Sequence, residues 1–223
     1  MLAKPLAPLM LVKSEECPGS WKGPIMPPTL DEHQRTLEGL CARIQNAHVE
    51  RGIVCGEGSP AAQMMIVGEA PGREEDLAGR PFVGPAGRLL NDLLADAGVR
   101  REDVWITNMV KFRPTIRDAG TVRNRPPTAA EIRAYLPVLG EELEILQPRL
   151  VLCLGNVSAS VLLSKDFKMT RDHGHFFPGP YGSRGMATYH PAYLLRLQGE
   201  AREKVLRQVR ADLRKLALAY AAI

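Results

Sequence analysis

The sequence has few cysteines and no long hydrophobic run. Its four cysteines are scattered, and no two of them have the CxxC spacing that is typical of metal and redox motifs. Spacing alone leaves a metal site open, because distant cysteines can converge in a fold. No apolar run reaches the roughly 18 residues that a membrane-spanning helix needs. Two prolines interrupt the apolar residues 1–12, so we expect no signal peptide and a cytoplasmic protein without membrane contact.

The sequence also has little excess charge. Lysine and arginine number 29 against 25 aspartates and glutamates, which gives a net charge of +4. This mild excess permits a polyanionic partner without requiring one. The length of 223 residues fits one domain with a tail. Residues 1–30 contain six prolines and predict a Pro-rich N-terminal arm, which leaves residues 31–223 as the folded domain.

The most informative stretch is residues 64–87, MMIVGEAPGREEDLAGRPFVGPAG. Its first four residues are apolar and predict a strand that is buried on both faces. A loop rich in glycine and acidic residues follows, and an amphipathic helix begins at Pro85. A strand that ends in such a loop is where open α/β folds bind ligands.

Three further strands are predicted at residues 104–110, 150–154 and 185–189, and helical segments separate them. This alternation predicts an α/β protein, a three-layer α/β/α sandwich with a central four-stranded parallel sheet. Residues 115–127 show no periodicity and predict a long loop, which in a compact domain is usually functional or mobile.

Polar residues follow each of the four predicted strands. They are Glu69, Asn108, the pair Gly155–Asn156, and His190. Each of them alone is most simply structural. Because the carboxyl ends of parallel strands share one edge of a sheet, we expect the set to face one crevice.

Five motifs in this order resemble the family 4 uracil-DNA glycosylases: GEAPGREED at 68–76, GRPFVGPAG at 79–87, ITNMVK at 106–111, LG at 154–155 and HPAYLLR at 190–196. The resemblance covers about residues 53–218. It implies a three-layer fold and an enzyme that flips uracil out of DNA and hydrolyses its N-glycosidic bond, which starts base excision repair. It also implies a monomer that acts on uracil in single- or double-stranded DNA.

The resemblance assigns roles residue by residue. Phe82 would stack on uracil, and Asn108 would read the edge of the base, since an amide both donates and accepts hydrogen bonds. His190 would stabilise the anion that develops on uracil O2, and Glu69 would favour the sugar cation or orient water. We therefore predict Glu69, Asn108 and His190 as catalytic residues. The predicted uracil-binding residues are Ala70, Glu75, Phe82 and, again, Asn108. The predicted DNA-binding residues are Gly155, Asn156, Pro191 and Arg196.

The chain departs from this family at the ligands of its iron–sulfur cluster, which needs four thiolates. Cys41 falls on the first ligand position, but Ile44 falls on the second, Phe112 on the third, and Ala134 or Tyr135 on the fourth. We therefore predict no iron–sulfur cluster, no other cofactor and no metal site. Residues 115–122 form an apparent insertion that lacks histidine, so we expect no covalent trapping of DNA.

Two other functions stay open from the sequence. A protein that binds DNA or damaged bases on the same fold, with weak or no catalysis, would also tolerate the loss of the cluster. A nucleotide-phosphate binder is less favoured, because the first loop carries four acidic residues that would repel phosphate: Glu69, Glu74, Glu75 and Asp76.

Overall fold

The structure is a computed structural model that describes residues 29–47, 52–118 and 120–223. Of the predicted N-terminal arm, only residues 29 and 30 lie within these ranges, and Leu30 is already the first residue of a helix. None of the helices in the described ranges is long and apolar enough to cross a membrane.

The chain alternates between strands and helices. The strands are β1 (Glu57–Gly58), β2 (Met64–Gly68), β3 (Trp105–Asn108), β4 (Thr115–Asp118), β5 (Thr121–Asn124), β6 (Leu150–Leu154), β7 (Phe176–Pro178) and β8 (Arg184–Thr188). The helices are α1 (Leu30–Ala47), α2 (Arg73–Ala78), α3 (Pro85–Asp96), α4 (Ala129–Leu146), α5 (Asn156–Leu162), α6 (Met169–Asp172), α7 (Pro191–Leu194) and α8 (Gly199–Ala221). Short 3-10 helices lie at Arg101–Asp103 and Pro180–Gly182.

The main sheet has six strands in the order β1-β3-β2-β6-β8-β7. The four predicted strands β3, β2, β6 and β8 are parallel and form its centre. The α/β class and the central four-stranded parallel sheet are confirmed, and the complete sheet has six strands. The two added strands, β1 and β7, pair antiparallel at the edges and are two and three residues long. Strands of two or three residues are too short for an alternation of apolar and polar residues to be recognised in the sequence.

Each central strand is buried on both faces, which gives the three layers. In β2, Met64 and Ile66 pack toward α3 and α8, and Met65 and Val67 pack toward α1, α4 and α5. This alternation follows from the two-residue period of a strand. Both helical layers therefore pack on one continuous apolar sheet. Polar side chains lie at the carboxyl edge of this sheet.

Residues 115–124 are not the irregular loop that the sequence predicts. Strands β4 and β5 form a separate antiparallel hairpin outside the main sheet. All eight strand residues are exposed, so the hairpin buries no apolar face that would give the sequence a periodic pattern.

Candidate active site

One cavity of about 470 Å³ opens at the carboxyl edge of the sheet. Its lining includes residues at the carboxyl ends of β2, β3 and β8, where ligand sites are expected in such folds. Seven of the predicted site residues line it: Glu69, Ala70, Glu75, Phe82, Asn108, His190 and Arg196. The expected convergence of strand ends is therefore present in the geometry, and the chemical roles remain predictions.

Phe82 forms one wall of the cavity in a strained backbone conformation. Its φ is 52°, in the left-handed region, and its side chain is 5% exposed. Its ring faces that of His190, with centroids 5.8 Å apart and planes inclined by 29°. A side chain at Gly68, at the end of β2, would place its Cβ only 2.4 Å from the Phe82 ring. The floor of the cavity therefore requires glycine at that position.

Arg101 holds the Phe82 loop in place. Its guanidinium donates to the carbonyl oxygens of Phe82 and Pro81 at 3.2 and 2.7 Å, and to Asn91 Oδ1 at 2.9 Å. It also pairs with Glu57 at 2.7 Å. One cation thus satisfies the carbonyls of a loop whose backbone would otherwise be free to relax. No local pattern predicts these contacts, because they join Arg101 to segments that are 19, 20 and 44 residues away along the chain.

Glu75 joins the two loops that enclose the cavity. Its carboxylate accepts from the backbone N–H groups of Gly72, Val83 and Gly84, at 3.1, 3.1 and 2.8 Å. Both oxygens are committed to backbone donors, and the residue is 8% exposed. Its position on the cavity wall agrees with the predicted uracil-binding set, and its contacts give it the role of a loop clamp.

Asn108 lies at the end of β3 and is 2% exposed. Its side-chain Oδ1 is buried and has no hydrogen-bond partner among the residues that the structure describes. A buried amide oxygen without a partner is unfavourable unless a ligand supplies the donor. Because Asn108 lines the cavity, that donor can come from a molecule bound there.

The backbone of Asn108 is fixed by the buried side chain of Lys111. Lys111 Nζ donates to the Asn108 carbonyl oxygen at 3.0 Å, and it contacts Glu142 Oε2 at 2.6 Å and Thr107 Oγ1 at 2.5 Å. Burial lowers the pKa of the Lys111 ammonium, and the charge of Glu142 opposes that shift. Two neutral oxygens and a carboxylate surround Lys111 Nζ, which is the geometry of a buried ion pair.

His190 caps helix α7 with its ring. Nδ1 accepts a hydrogen bond from the backbone N–H of Ala192 at 3.1 Å, so the neutral ring carries its proton on Nε2. Burial, and to a lesser degree the positive charge of Arg196, lower the pKa of His190 to about 4. The imidazole is therefore neutral at pH 7 and has one N–H group to donate.

Glu69 and Arg196 are the charged groups beside this imidazole. Burial raises the pKa of the Glu69 carboxyl, and the positive charge of Arg196 opposes the shift. The guanidinium of Arg196 lies 5.9 Å from the centre of the Tyr193 ring. Tyr193 and Leu195 are 39% and 47% exposed, so this turn presents apolar surface at the mouth of the cavity.

Three predicted DNA-binding residues lie outside the cavity lining. Gly155 precedes α5 with a φ of 93°, and a Cβ there would come within 3.3 Å of the His190 Cβ. Asn156 is the first residue of α5, and Pro191 is the first residue of α7 and is buried. Gly155 therefore makes room for His190, and none of the three contributes to the cavity wall.

The end of the β4–β5 hairpin supplies cavity residues that the sequence analysis did not assign to the site. Asn124 and Arg125, at the end of β5 and just after it, both line the cavity. They belong to the segment that was predicted as an irregular loop. Only the pairing of β4 with β5 brings them to the site, and the sequence shows no alternation that would have predicted this pairing.

The positions that resemble cluster ligands do not fit an iron–sulfur cluster. Cys41 forms a disulfide with Cys55, and the two Cα atoms are 5.8 Å apart. Ile44, Phe112 and Tyr135 pack in one apolar cluster, and the Phe112 and Tyr135 ring centroids are 5.5 Å apart. Within the described ranges, no three His, Cys, Asp or Glu side chains are grouped to hold a metal ion.

Comparison with known proteins identifies the family. The family model described as uracil DNA glycosylase superfamily matches residues 55–214. The chain is 40% identical over 165 residues to a type-4 uracil-DNA glycosylase of Thermotoga maritima, covering 73% of this chain and 82% of that protein. It is 43% identical over 160 residues to a type-4 uracil-DNA glycosylase of Pyrobaculum aerophilum, covering 67% and 78%. A type-5 uracil-DNA glycosylase of Thermus thermophilus is 29% identical over 184 residues, covering 74% and 80%. The resemblance that the five motifs indicate is thus confirmed.

Proposed function

Because the chain belongs to the uracil DNA glycosylase superfamily, we propose that it is a DNA N-glycosylase that flips uracil out of DNA and hydrolyses its N-glycosidic bond. The product, an abasic site, is the starting point of base excision repair. The observation that carries the proposal is the buried Oδ1 of Asn108, which has no partner among the described residues, in a residue that lines the cavity together with Phe82 and His190. The cavity volume falls in the range of small-ligand sites.

Uracil fits the groups that the cavity presents. Stacked on Phe82, the base would offer its N3–H to Asn108 Oδ1 and would take a hydrogen bond from Asn108 Nδ2 on O4. Cytosine has no N3–H and carries a donor at C4, so both contacts would be mismatched. Each unpaired buried group costs about 1–3 kcal/mol, which is enough to discriminate the two bases.

His190 is suited to the leaving group. When the glycosidic bond breaks, negative charge develops on uracil O2, and the Nε2–H of the neutral imidazole can donate to it. The imidazole does not need to change its protonation state during this step. Its orientation is preset by the bond from Ala192 N to Nδ1.

Glu69 is suited to the sugar side of the reaction. Its carboxylate would stabilise the positive character of the deoxyribose and orient the attacking water. Ala70 stands next to it and has no acidic side chain, so Glu69 is the carboxylate that we assign to this role. Because burial raises the pKa of Glu69, its carboxylate becomes protonated on acidification at a higher pH than an ordinary glutamate does.

We further propose that the protein acts as a monomer and without an iron–sulfur cluster. All the proposed base-binding and catalytic groups come from one chain. A disulfide and an apolar cluster take the place of the ligands, and they can hold α1 against the domain without a metal. Because the proposed substrate is DNA, we propose that the protein acts in the cytoplasm.

The test is excision from an oligonucleotide with one uracil, read on a gel after alkaline cleavage of abasic sites. We expect strand breaks at uracil only, in single- and double-stranded substrates, and none at thymine or cytosine. Asn108→Asp should lose most of this excision, because a carboxylate cannot donate to O4 at neutral pH. Asn46→Asp, on the exposed face of α1, is the matched control and should cleave like the parent.

The second candidate function gives a different result in the same assay. A protein that only recognises damaged bases would bind the uracil oligonucleotide in preference to the thymine one and would leave no alkali-sensitive site. That outcome would overturn the proposed hydrolysis while leaving the cavity as a binding site.

A further inference from the structure

The β4–β5 hairpin extends from the domain beside the cavity. Its strands pair Thr115 with Asn124, Ile116 with Arg123, Arg117 with Val122 and Asp118 with Thr121. All eight residues are exposed, and Ile116 and Val122 are 54% and 44% exposed. A two-stranded hairpin with no packed face contributes little to the stability of the domain.

One face of this hairpin looks toward the cavity. Residues directly opposite each other in an antiparallel pair point to the same face, as do residues two apart in a strand. Asn124 lines the cavity, so the cavity-side face comprises Thr115, Arg117, Val122 and Asn124. Ile116 and Arg123 lie on the outer face, together with Asp118 and Thr121.

The arginines of this segment differ in their partners. Arg113 donates to Asn124 Oδ1 at 2.6 Å, and Arg125 pairs with Glu131 at 2.6 Å. Arg117 and Arg123 form no ion pair within the described ranges. Arg117 lies two residues from the pair that includes Asn124, about 7 Å farther along the hairpin. Arg117 therefore carries a positive charge without an ion-pair partner among the described residues. It lies on the cavity-side face, farther along the hairpin than Asn124.

Asn124 connects the hairpin to the cavity. Because Arg113 occupies its side-chain oxygen, the amide nitrogen is the group left to donate to a ligand. Asn124 and Arg117 are thus two donor-bearing side chains on the cavity-side face, in neighbouring same-face pairs of the hairpin, and amide and guanidinium donors are groups that bind phosphate oxygens of a nucleic acid. Arginine binds phosphate in a bidentate geometry that suits an exposed contact.

We propose that the cavity-side face of the β4–β5 hairpin holds the DNA backbone beside the flipped nucleotide, with Arg117 as a phosphate ligand. This inference rests on the proposed function for the identity of the polyanion. The hairpin would be a second DNA-binding surface at the cavity mouth, in addition to the turn at Tyr193–Arg196. The hairpin grips the backbone without reading sequence, because phosphate contacts position DNA and carry no base information.

The test uses DNA binding that does not depend on excision. Fluorescence anisotropy with uracil-free single- and double-stranded oligonucleotides is measured across a salt series for the parent, Arg117→Ala and Arg123→Ala. Arg117→Ala should weaken binding about threefold to tenfold and reduce the salt slope by about 0.9 for duplex and 0.7 for single strand. Arg123→Ala is the matched control, with the same charge change on the outer face, and should keep the parent slope.

Equal losses in Arg117→Ala and Arg123→Ala would overturn the proposal, since they would mean general attraction by charge and no contact of one face. Unchanged binding in Arg117→Ala would overturn it as well. Circular dichroism of each variant checks that the fold is kept, and Arg117→Gln repeats the measurement with a longer side chain. If the parent excises no uracil but its DNA binding depends on Arg117, the proposed hydrolysis fails and the hairpin contact stands.

Discussion

Lys111 Nζ lies 3.0 Å from the carbonyl oxygen of Asn108, and the Lys111 side chain is fully buried. The ammonium also contacts Glu142 and Thr107, so one buried ion pair fixes the backbone of Asn108, whose side chain lines the cavity. A buried pair of this kind is weak support for stability by itself, because desolvation offsets the attraction. We infer that its role is to position Asn108.

The first prediction concerns this positioning. Lys111→Met leaves the buried Glu142 carboxylate without its cation, although the Thr107 hydroxyl still donates to it, and should cost about 3–5 kcal/mol of unfolding free energy. The double variant Lys111→Met/Glu142→Gln should regain part of this stability in urea unfolding. Its single-turnover excision should remain about tenfold low, the scale for one charge-assisted hydrogen bond. Excision at the parent rate in the double variant would show that the pair only stabilises the fold.

The central strands β2 and β6 could be predicted because their residues are apolar, apart from the glycine that ends β2. The sequence predicts a strand over residues 64–67, and β2 extends one residue further, to Gly68, with every residue buried. The second predicted strand was too long: β3 ends at Asn108, although Met109 and Val110 are also buried. There the apolar run continues into a turn that Lys111 holds, and sequence cannot separate a buried turn from a buried strand.

The contacts that hold the site could not be predicted, because they join distant segments. Arg101 reaches the Phe82 loop from a 3-10 helix, and Cys41 pairs with Cys55 although the two show no motif spacing. Asn124 enters the cavity through a hairpin whose residues are all exposed. In each case the partner is fixed by tertiary packing, which leaves no local pattern in the sequence.

The second prediction concerns acid stability. The pKa of His190 is about 4 in the folded protein, below its ordinary value of 6.5, so the unfolded chain binds its proton more readily. The unfolding free energy should therefore rise from pH 4 to pH 6.5, with a contribution of about 3 kcal/mol from this group. His190→Gln should show a shallower rise in urea unfolding over this window.

The matched control for this measurement is His175→Gln, which removes an exposed histidine and should keep the parent slope. Glu69, whose pKa is raised, gives a slope of opposite sign, but it is present in both proteins and cancels in the comparison. A parallel dependence on pH in His190→Gln and the parent would contradict the buried, neutral imidazole.

The third prediction concerns iron. Cys41 is held in a disulfide, and Ile44 and Phe112 stand at ligand positions, so the purified protein should be colourless and contain no stoichiometric iron. Iron is measured by elemental analysis, together with the absorbance near about 400 nm, where thiolate–iron charge transfer falls. A brown preparation with several irons per chain would refute this expectation.

The fourth prediction concerns the disulfide. Cys41 and Cys55 are 14 residues apart, and closing a loop of this length contributes about 3 kcal/mol by restricting the unfolded chain. A reductant should therefore lower the unfolding free energy of the parent by about that amount. The variant Cys41→Ser/Cys55→Ser should be as stable as the reduced parent and insensitive to reductant. Cys153→Ala, which removes the buried free cysteine, should keep the parent response.

The last prediction separates chemistry from DNA affinity. His190 is expected to act only when charge develops on uracil O2, so His190→Ala should lower single-turnover cleavage by roughly 10²–10³. Its affinity for DNA should change little, because phosphate contacts supply most of the binding. Arg196→Ala should do the reverse, with weaker binding, a smaller salt slope and a lesser defect at saturating enzyme.

Both quantities are measured for each variant, the affinity across a salt series and the cleavage rate in a single turnover. Arg207→Ala, on an exposed position of α8, is the matched control for loss of one positive charge. The structure favours this division of labour because the Nδ1 atom of His190 is bound to the backbone, and its ring faces Phe82 inside the cavity. Arg196 instead lies at the rim, beside the exposed Tyr193 and Leu195. If His190→Ala lost DNA affinity in proportion to its cleavage rate, the His190 ring would be a group that binds the whole substrate. The leaving uracil anion would then need another hydrogen-bond donor.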